Sequence, residues 1–237
     1  VTEAIPRRRD RIRVETAAEI KTIALKHIAA EGTAALSLRA IAREMGMTAG
    51  AIYSYYDTRD ELITALISDV YAGLVDALEA ACERRPAEDA TGRLTAWSMA
   101  YRKWAIANPE EFRLLYGDPA PGYHPPPGGP AAEAERRACL LLTGLVAAAW
   151  SPDESGADKR GYRWSDFRAS FAATIQDELP GLAPATVALS LRIWGRLHGL
   201  ISLEVYGHLR PQLHDAGKLF ESDVQDLLDQ LSSGREG

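Results

Sequence analysis

Three tyrosines and an arginine crowd into the seven residues Tyr53-Ser54-Tyr55-Tyr56-Asp57-Thr58-Arg59. Phenolic hydroxyls reach phosphate oxygens well, and such contacts set the register of a protein on a nucleic acid without reading its sequence. Arg59 falls in the first turn of an expected helix, whose free N–H groups also suit a phosphate. Immediately upstream, Thr48-Ala49-Gly50-Ala51 is a run of small side chains. Small residues at a helix N-terminus allow close approach to base edges and thymine methyl groups. Tyr56, flanking the cluster, is expected in the core.

These groups need a rigid support, and the stretch from Ser37 to Leu62 supplies its pattern. Ser37 can cap a first short helix, Leu38–Met45, whose Leu38, Ile41, Ala42 and Met45 share a face. Ala42 is small where a second helix must cross. Gly46 follows at the fourth position, where a tight turn needs a positive φ. Thr48 can cap a second helix, expected over Ala49–Tyr55, and Ile52 returns to the shared core. A small residue, a glycine four further on and an aliphatic residue at the tenth position is the spacing of a helix-turn-helix. Its second helix can enter a major groove by its N-terminal end. A longer preceding helix is expected from Arg11 to Gly32. The next begins at Thr58-Arg59-Asp60-Glu61, a capping box, and runs to about Arg85.

The stretch Ile20–Leu62 resembles the DNA-binding domain of the TetR family of bacterial repressors. The resemblance rests on Leu38-Arg39-Ala40-Ile41-Ala42, Gly46, Tyr53-Ser54-Tyr55-Tyr56 and Arg59-Asp60-Glu61-Leu62. Family members commonly carry Phe at position 56 and Lys at position 59. The resemblance implies that Arg39, Thr48, Tyr53, Tyr55 and Arg59 contact phosphates and that Ala49, Gly50 and Ala51 meet bases. It also makes Arg7–Arg13 similar to the basic arms that some members lay along a minor groove; a solvated tail is the alternative. Trp194-Gly-Arg-Leu-His198-Gly199 resembles the WHG subgroup of TetR-like C-terminal domains, and Ala107–Tyr116 fits that subgroup too.

The rest of the 237-residue chain sets the frame. Its formal net charge is −6, but residues 1–60 hold ten Lys and Arg against eight Asp and Glu, a slightly basic head on an acidic body. Two cysteines, Cys82 and Cys139, exclude a disulfide framework, and with no signal-peptide pattern a cytoplasmic setting is expected. The longest apolar run, Ala138–Trp150, falls short of the ~20 residues a membrane span needs and reads as a buried helix. Further helices are expected at about 89–107, 109–116, 131–150, 164–179, 184–208 and 216–232. Gly117–Pro130, with six of the thirteen prolines, reads as a loop, and 151–162 as a second. The expectation is an all-α chain: an N-terminal arm and three-helix helix-turn-helix domain over 1–57, then a helical ligand-binding and dimerisation domain over 58–237.

Within that body, the 184–208 helix is apolar nearly all round. Val187, Leu191, Trp194, His198, Ile201 and Val205 cluster on one side; Leu189, Ile193, Leu197, Leu200 and Leu203 cover most of the other. Gly195 and Gly199 share a third face with Ala188. Together with the amphipathic last helix (Leu219, Phe220, Val224, Leu227, Leu228, Leu231), it is expected to join two copies as a four-helix bundle. All five tryptophans lie in the body. Ligand pockets are lined by apolar and aromatic groups, and Trp97, Tyr101, Trp104, Trp150, Phe171, Trp194 and His198 are the candidate lining of a cavity, with solid core as the alternative.

No zinc-protease, nucleophile-elbow, phosphate-loop or dinucleotide motif occurs. His208 and His214 lack further obvious metal ligands, so neither metal nor cofactor is expected. The reading is a sequence-specific transcriptional regulator, a repressor released from a palindromic operator on double-stranded DNA by a small apolar effector. Two alternatives belong to other classes: a DNA-binding architectural protein without an effector, and an enzyme built on a helical bundle.

Overall fold

The computed structural model describes residues 8–118, 120–150 and 161–233, and among them it contains ten α-helices and no strand. In chain order these are α1 Arg8–Glu31, α2 Leu38–Glu44, α3 Ala49–Ile52, α4 Arg59–Glu83, α5 Ala90–Ala107, α6 Pro109–Tyr116, α7 Ala132–Ala149, α8 Ala169–Glu178, α9 Pro184–Val205 and α10 Ala216–Ser233. No described helix is long and apolar enough to cross a membrane. The chain forms two compact units. One takes Val1–Ala72 with Glu110–Ala132; the other takes Gly73–Pro109 with Glu133–Gly237.

The first unit is built on the helical period of α1, which buries Ile20, Ile23, Ala24 and Ile28. Against them pack Leu38, Ile41 and Ala42 of α2, Ile52 of α3, Tyr56, and Leu62, Ile63 and Leu66 of α4. Tyr56 is buried, as its flanking position suggested. The helix α1 is longer at its start than its apolar pattern indicates: Arg8–Arg13 are helical and exposed, and Arg7 lies outside the described residues. Ala120 also enters this core, with Tyr123 packed beside it.

In the second unit α5, α9 and α10 pack together. Two bidentate ion pairs fix their spacing. Arg102 of α5 grips Glu204 of α9 at 2.6 and 2.8 Å, and Arg196 of α9 grips Asp223 of α10 at 2.7 and 2.8 Å. Such fork-to-carboxylate contacts are directional and orient the helices they join. A buried hydroxyl pair, Thr143 with Ser190 at 3.1 Å, ties α7 to α9.

Three further expectations change. The recognition helix ends at Ile52, not Tyr55, because the Ser54 hydroxyl bonds the Ala51 carbonyl at 2.7 Å and the next amides close tighter turns. The single helix expected over 164–179 breaks into a 3-10 turn, Trp164–Asp166, and α8. There the Asp166 carboxylate folds back to accept from the Arg163 N–H at 2.8 Å. On α9 the buried arc runs through Val187, Ile193, Leu197, Ile201 and Val205, and so cuts across both expected sides. Leu191, Trp194 and Leu203 stay exposed at 41, 38 and 41%.

Candidate functional site

The recognition element is set by three local devices. The Ser37 hydroxyl accepts from Ala40 N–H at 3.4 Å and starts α2. Gly46, at φ +64°, stops it. Its N–H bonds the Arg43 carbonyl at 3.2 Å, and Met47 N–H bonds the Ala42 carbonyl at 2.8 Å. These two bonds form a Schellman motif, which needs a left-handed residue where glycine carries no Cβ penalty. Thr48 then caps α3, accepting from Ala51 N–H at 3.2 Å. At α4, Thr58 accepts from Glu61 N–H at 3.1 Å, while the Glu61 carboxylate bonds the N–H of Asp57, one residue before the expected partner.

Ile52 is fully buried, so α3 is anchored by its last residue and its first turn faces outward. Arg39, Thr48, Ala49, Gly50 and Tyr53 are exposed; Ala51 and Tyr55 are half-buried. A Cβ placed on Gly50 meets nothing within 4 Å, so the outer surface of α3 is open at that point. Arg13 braces the far end. Its guanidinium donates to the Ser54 carbonyl at 2.8 Å and lies 4.9 Å from the centre of the Tyr55 ring, a cation–π contact.

Arg59 has a different surrounding from the other expected contacts. Its guanidinium donates to the carbonyls of Thr33 at 2.7 Å, Leu36 at 3.2 Å and Pro121 at 3.3 Å. Nothing in the local sequence signals these partners, which lie 26, 23 and 62 residues away.

In the second unit the candidate effector residues are partly gathered. Trp97, Tyr101, Trp194 and His198 form one group. The Tyr101 hydroxyl and His198 Nδ1 are 2.7 Å apart, Trp97 lies 5.5 Å from Tyr101 between ring centres, and Trp194 lies 5.4 Å from His198. Burial pushes the His198 imidazole below its ordinary value and favours its neutral form. The indole N–H of Trp97 is buried without a hydrogen-bond partner, which is uncommon for a buried donor. The other three stand elsewhere. Trp150 lines a separate cavity of about 200 Å³ with Tyr162, Leu189, Arg192, Ile193 and Leu231. Phe171 joins a ring series with Phe167 and Trp164, each pair 6.0 Å apart. Trp104 is half-buried near the end of α5, where its carbonyl accepts from the Asn108 side chain at 2.8 Å. Among the described residues no group of three or more His, Cys, Asp or Glu is placed to hold a metal ion.

A capped helix-turn-helix with an outward-facing N-terminal turn, in a chain with a second helical unit, places the chain in the class of helix-turn-helix proteins. Known proteins agree. The profile described as "Bacterial regulatory proteins, tetR family" matches residues 22–66, and "Tetracyclin repressor-like, C-terminal domain" matches residues 94–227. The HTH-type transcriptional regulators Rv1816 of Mycobacterium tuberculosis and Mb1846 of Mycobacterium bovis are each 34% identical over 230 residues, 94% of this chain and 95% of theirs. The solved structure of the regulatory protein SCO4313 is 34% identical with a TM-score of 0.75, covering 95% of this chain and 100% of that one. PfmR of Thermus thermophilus, a TetR family transcriptional regulator 17% identical to this chain, shares the fold with a TM-score of 0.54 over 88% of this chain and 96% of its own. The chain belongs to the tetR family of bacterial regulatory proteins and is a helix-turn-helix transcriptional regulator.

Proposed function

We propose that this regulator is a cytoplasmic repressor, not an enzyme. As a homodimer it binds a palindromic operator and is released by a small apolar effector. Residues 1–57 read the DNA, and residues 58–237 hold the effector and the second copy. The observation that carries this reading is the open first turn of α3: Thr48, Ala49 and Gly50 are exposed, and the position a Gly50 side chain would take is empty. In this reading Ala49, Gly50 and Ala51 meet base edges, and Arg39, Thr48, Tyr53 and Tyr55 hold phosphates on either side. Two such helices on a twofold dimer reach half-sites one helical turn apart, about 34 Å, or a longer separation.

Support for an effector comes from the Trp97, Tyr101, Trp194 and His198 group. A buried indole N–H without a partner is a donor waiting for an acceptor, and a neutral His198 adds no charge. The matching ligand is uncharged, largely apolar and carries one hydrogen-bond acceptor such as a carbonyl. Its binding lowers DNA affinity only to the extent that it prefers the conformer with wrongly spaced heads, a coupling of typically ~1–3 kcal/mol. Helix α4 contributes residues to both compact units and is the element through which that preference is transmitted.

Selection of bound duplexes from a random pool, followed by salt titration of the winner and a scrambled control, tests the reading. A palindromic winner bound far more tightly than the control is the expected result. Weak binding that is equal for both and falls steeply with salt would reject sequence-specific recognition.

A further inference from the structure

We propose that Arg59 acts as a positioning residue: its guanidinium clamps the short segment Ala120–His124 and the α1–α2 turn together, and so fixes the helix-turn-helix for DNA. This inference rests on the DNA-reading role proposed for α3. A planar guanidinium presents five donors in a fixed fork. Here three of its nitrogens are each directed to a different backbone carbonyl: Nη2 to Thr33, Nε to Leu36 and Nη1 to Pro121. Thr33 and Leu36 bracket the turn that leads from α1 into α2. Pro121 belongs to the proline-rich loop after α6, whose sequence offers no reason to meet that turn.

The loop is held by more than this one bond. Ala120 is buried in the first unit's core. The Tyr123 hydroxyl meets the Thr64 hydroxyl at 2.9 Å, and the His124 N–H donates to the Asp60 carboxylate at 3.0 Å. Arg59, Asp60 and Thr64 all lie in the first two turns of α4. The start of α4 thus has one side chain bridging the loop to the α1–α2 turn and two more holding the loop beside it. Ser37, the residue after Leu36, caps the first helix of the helix-turn-helix. A change at the clamp therefore tilts α2, and with it α3, without touching DNA. An arginine aimed at phosphate would turn its fork to solvent, whereas this one is turned to protein carbonyls.

Salt dependence separates the two roles. Removing one phosphate-binding cation lowers the slope of log K against log salt by about 0.9. Arg59→Gln removes the charge and the fork; Arg59→Lys keeps the charge but cannot bridge three carbonyls. Both variants of the full chain, with Tyr123→Phe as a milder break of the loop, are compared with wild type by amide hydrogen exchange and by DNA titration across salt. The expected result has three parts. Exchange at residues 33–36 and 120–124 accelerates by about tenfold in both Arg59 variants. DNA affinity falls by about tenfold with an unchanged salt slope, and Lys fails to restore it. Tyr123→Phe, remote in sequence from every expected DNA contact, shifts exchange in the same two segments. Unchanged exchange overturns the proposal whatever the DNA titration gives. So does a slope lowered by one phosphate's worth in Arg59→Gln, or full affinity in Arg59→Lys. Should the wild type bind no specific DNA, the reading of α3 fails while the exchange result still decides the clamp.

Discussion

Two glycines near the turn of the head are glycine for different reasons, and substitution separates them. Gly46 sits at φ +64° with nothing within 4 Å of the place a methyl group would take, so its requirement is conformational, not steric. Gly46→Ala is expected to cost about 1 kcal/mol, a fall in melting temperature of about 2–4 °C. Gly50 has no such backbone requirement and also faces open space. Gly50→Ala should therefore fold at least as well as wild type, since alanine is the better helix former. Gly50→Glu should also fold yet lose DNA binding, by bulk and by charge against phosphate. Normal binding by folded Gly50→Glu would remove α3 from the DNA surface. His198 gives a pH test at the same scale. Its folded-state value lies below the ordinary 6.5 because burial disfavours the imidazolium. Between those two values the unfolded chain binds more protons, so stability is complete above pH 6.5 and declines as pH falls through that window. Melting curves from neutral pH downward should show a loss just below pH 6.5 that His198→Gln lacks; parallel curves would mean that His198 is not buried neutral.

At the scale of elements, what could be read in advance followed from local signals. The apolar spacing of Ile20, Ile23, Ala24 and Ile28, the caps Ser37 and Thr48 and the turn glycine Gly46 each act within a few residues, and the first unit's helices follow them. The loop Ala120–His124 carries no such signal. Its place against α4 depends on Ala120 in a distant core and on hydrogen bonds to residues some sixty positions earlier. The candidate effector residues were legible as aromatic types but not as a group, because helix packing brings His198 to Tyr101 and leaves Trp150 and Phe171 among other neighbours. Helix α5 offers a test in which one local device reverses another. Asp89 caps it by accepting from Gly92 N–H at 2.9 Å, and a Cβ on Gly92 would fall 1.9 Å from the Asp89 carboxylate. Gly92→Ala alone should be close to neutral, since the helix propensity gained, up to about 1 kcal/mol, offsets a displaced cap of about the same worth. In an Asp89→Ala background the same change should stabilise by up to about 1 kcal/mol. Additive effects in denaturant melts of the four proteins would show that the cap does not govern the start of α5.

At the scale of the whole molecule, the exposed face of α9 asks for a partner. Leu191 and Leu203, which lie to either side of Gly195 and Gly199 around the helix, are exposed, and an apolar face left in water commonly marks a surface that something covers. On the same helix Gly195 and Gly199 have nothing within 4 Å of the position a Cβ would take. Neither glycine is needed for the fold of its own unit, and helix propensity argues against both. Close approach by another helix would account for them, and a second copy of α9 across a twofold axis supplies that helix with the same surface on both sides. Gly195→Leu discriminates. In an isolated chain leucine at that position meets only solvent and should raise stability slightly. In a dimer it forces the two helices apart. Wild type is therefore expected to sediment at about twice its 25.8 kDa chain mass at micromolar concentration, and Gly195→Leu as a folded single chain. That monomer should bind an isolated half-site about as wild type does and lose the added affinity of a paired site, which depends on two linked heads. A wild-type monomer in the same sedimentation run would end the twofold reading and leave the apolar face of α9 to a different partner.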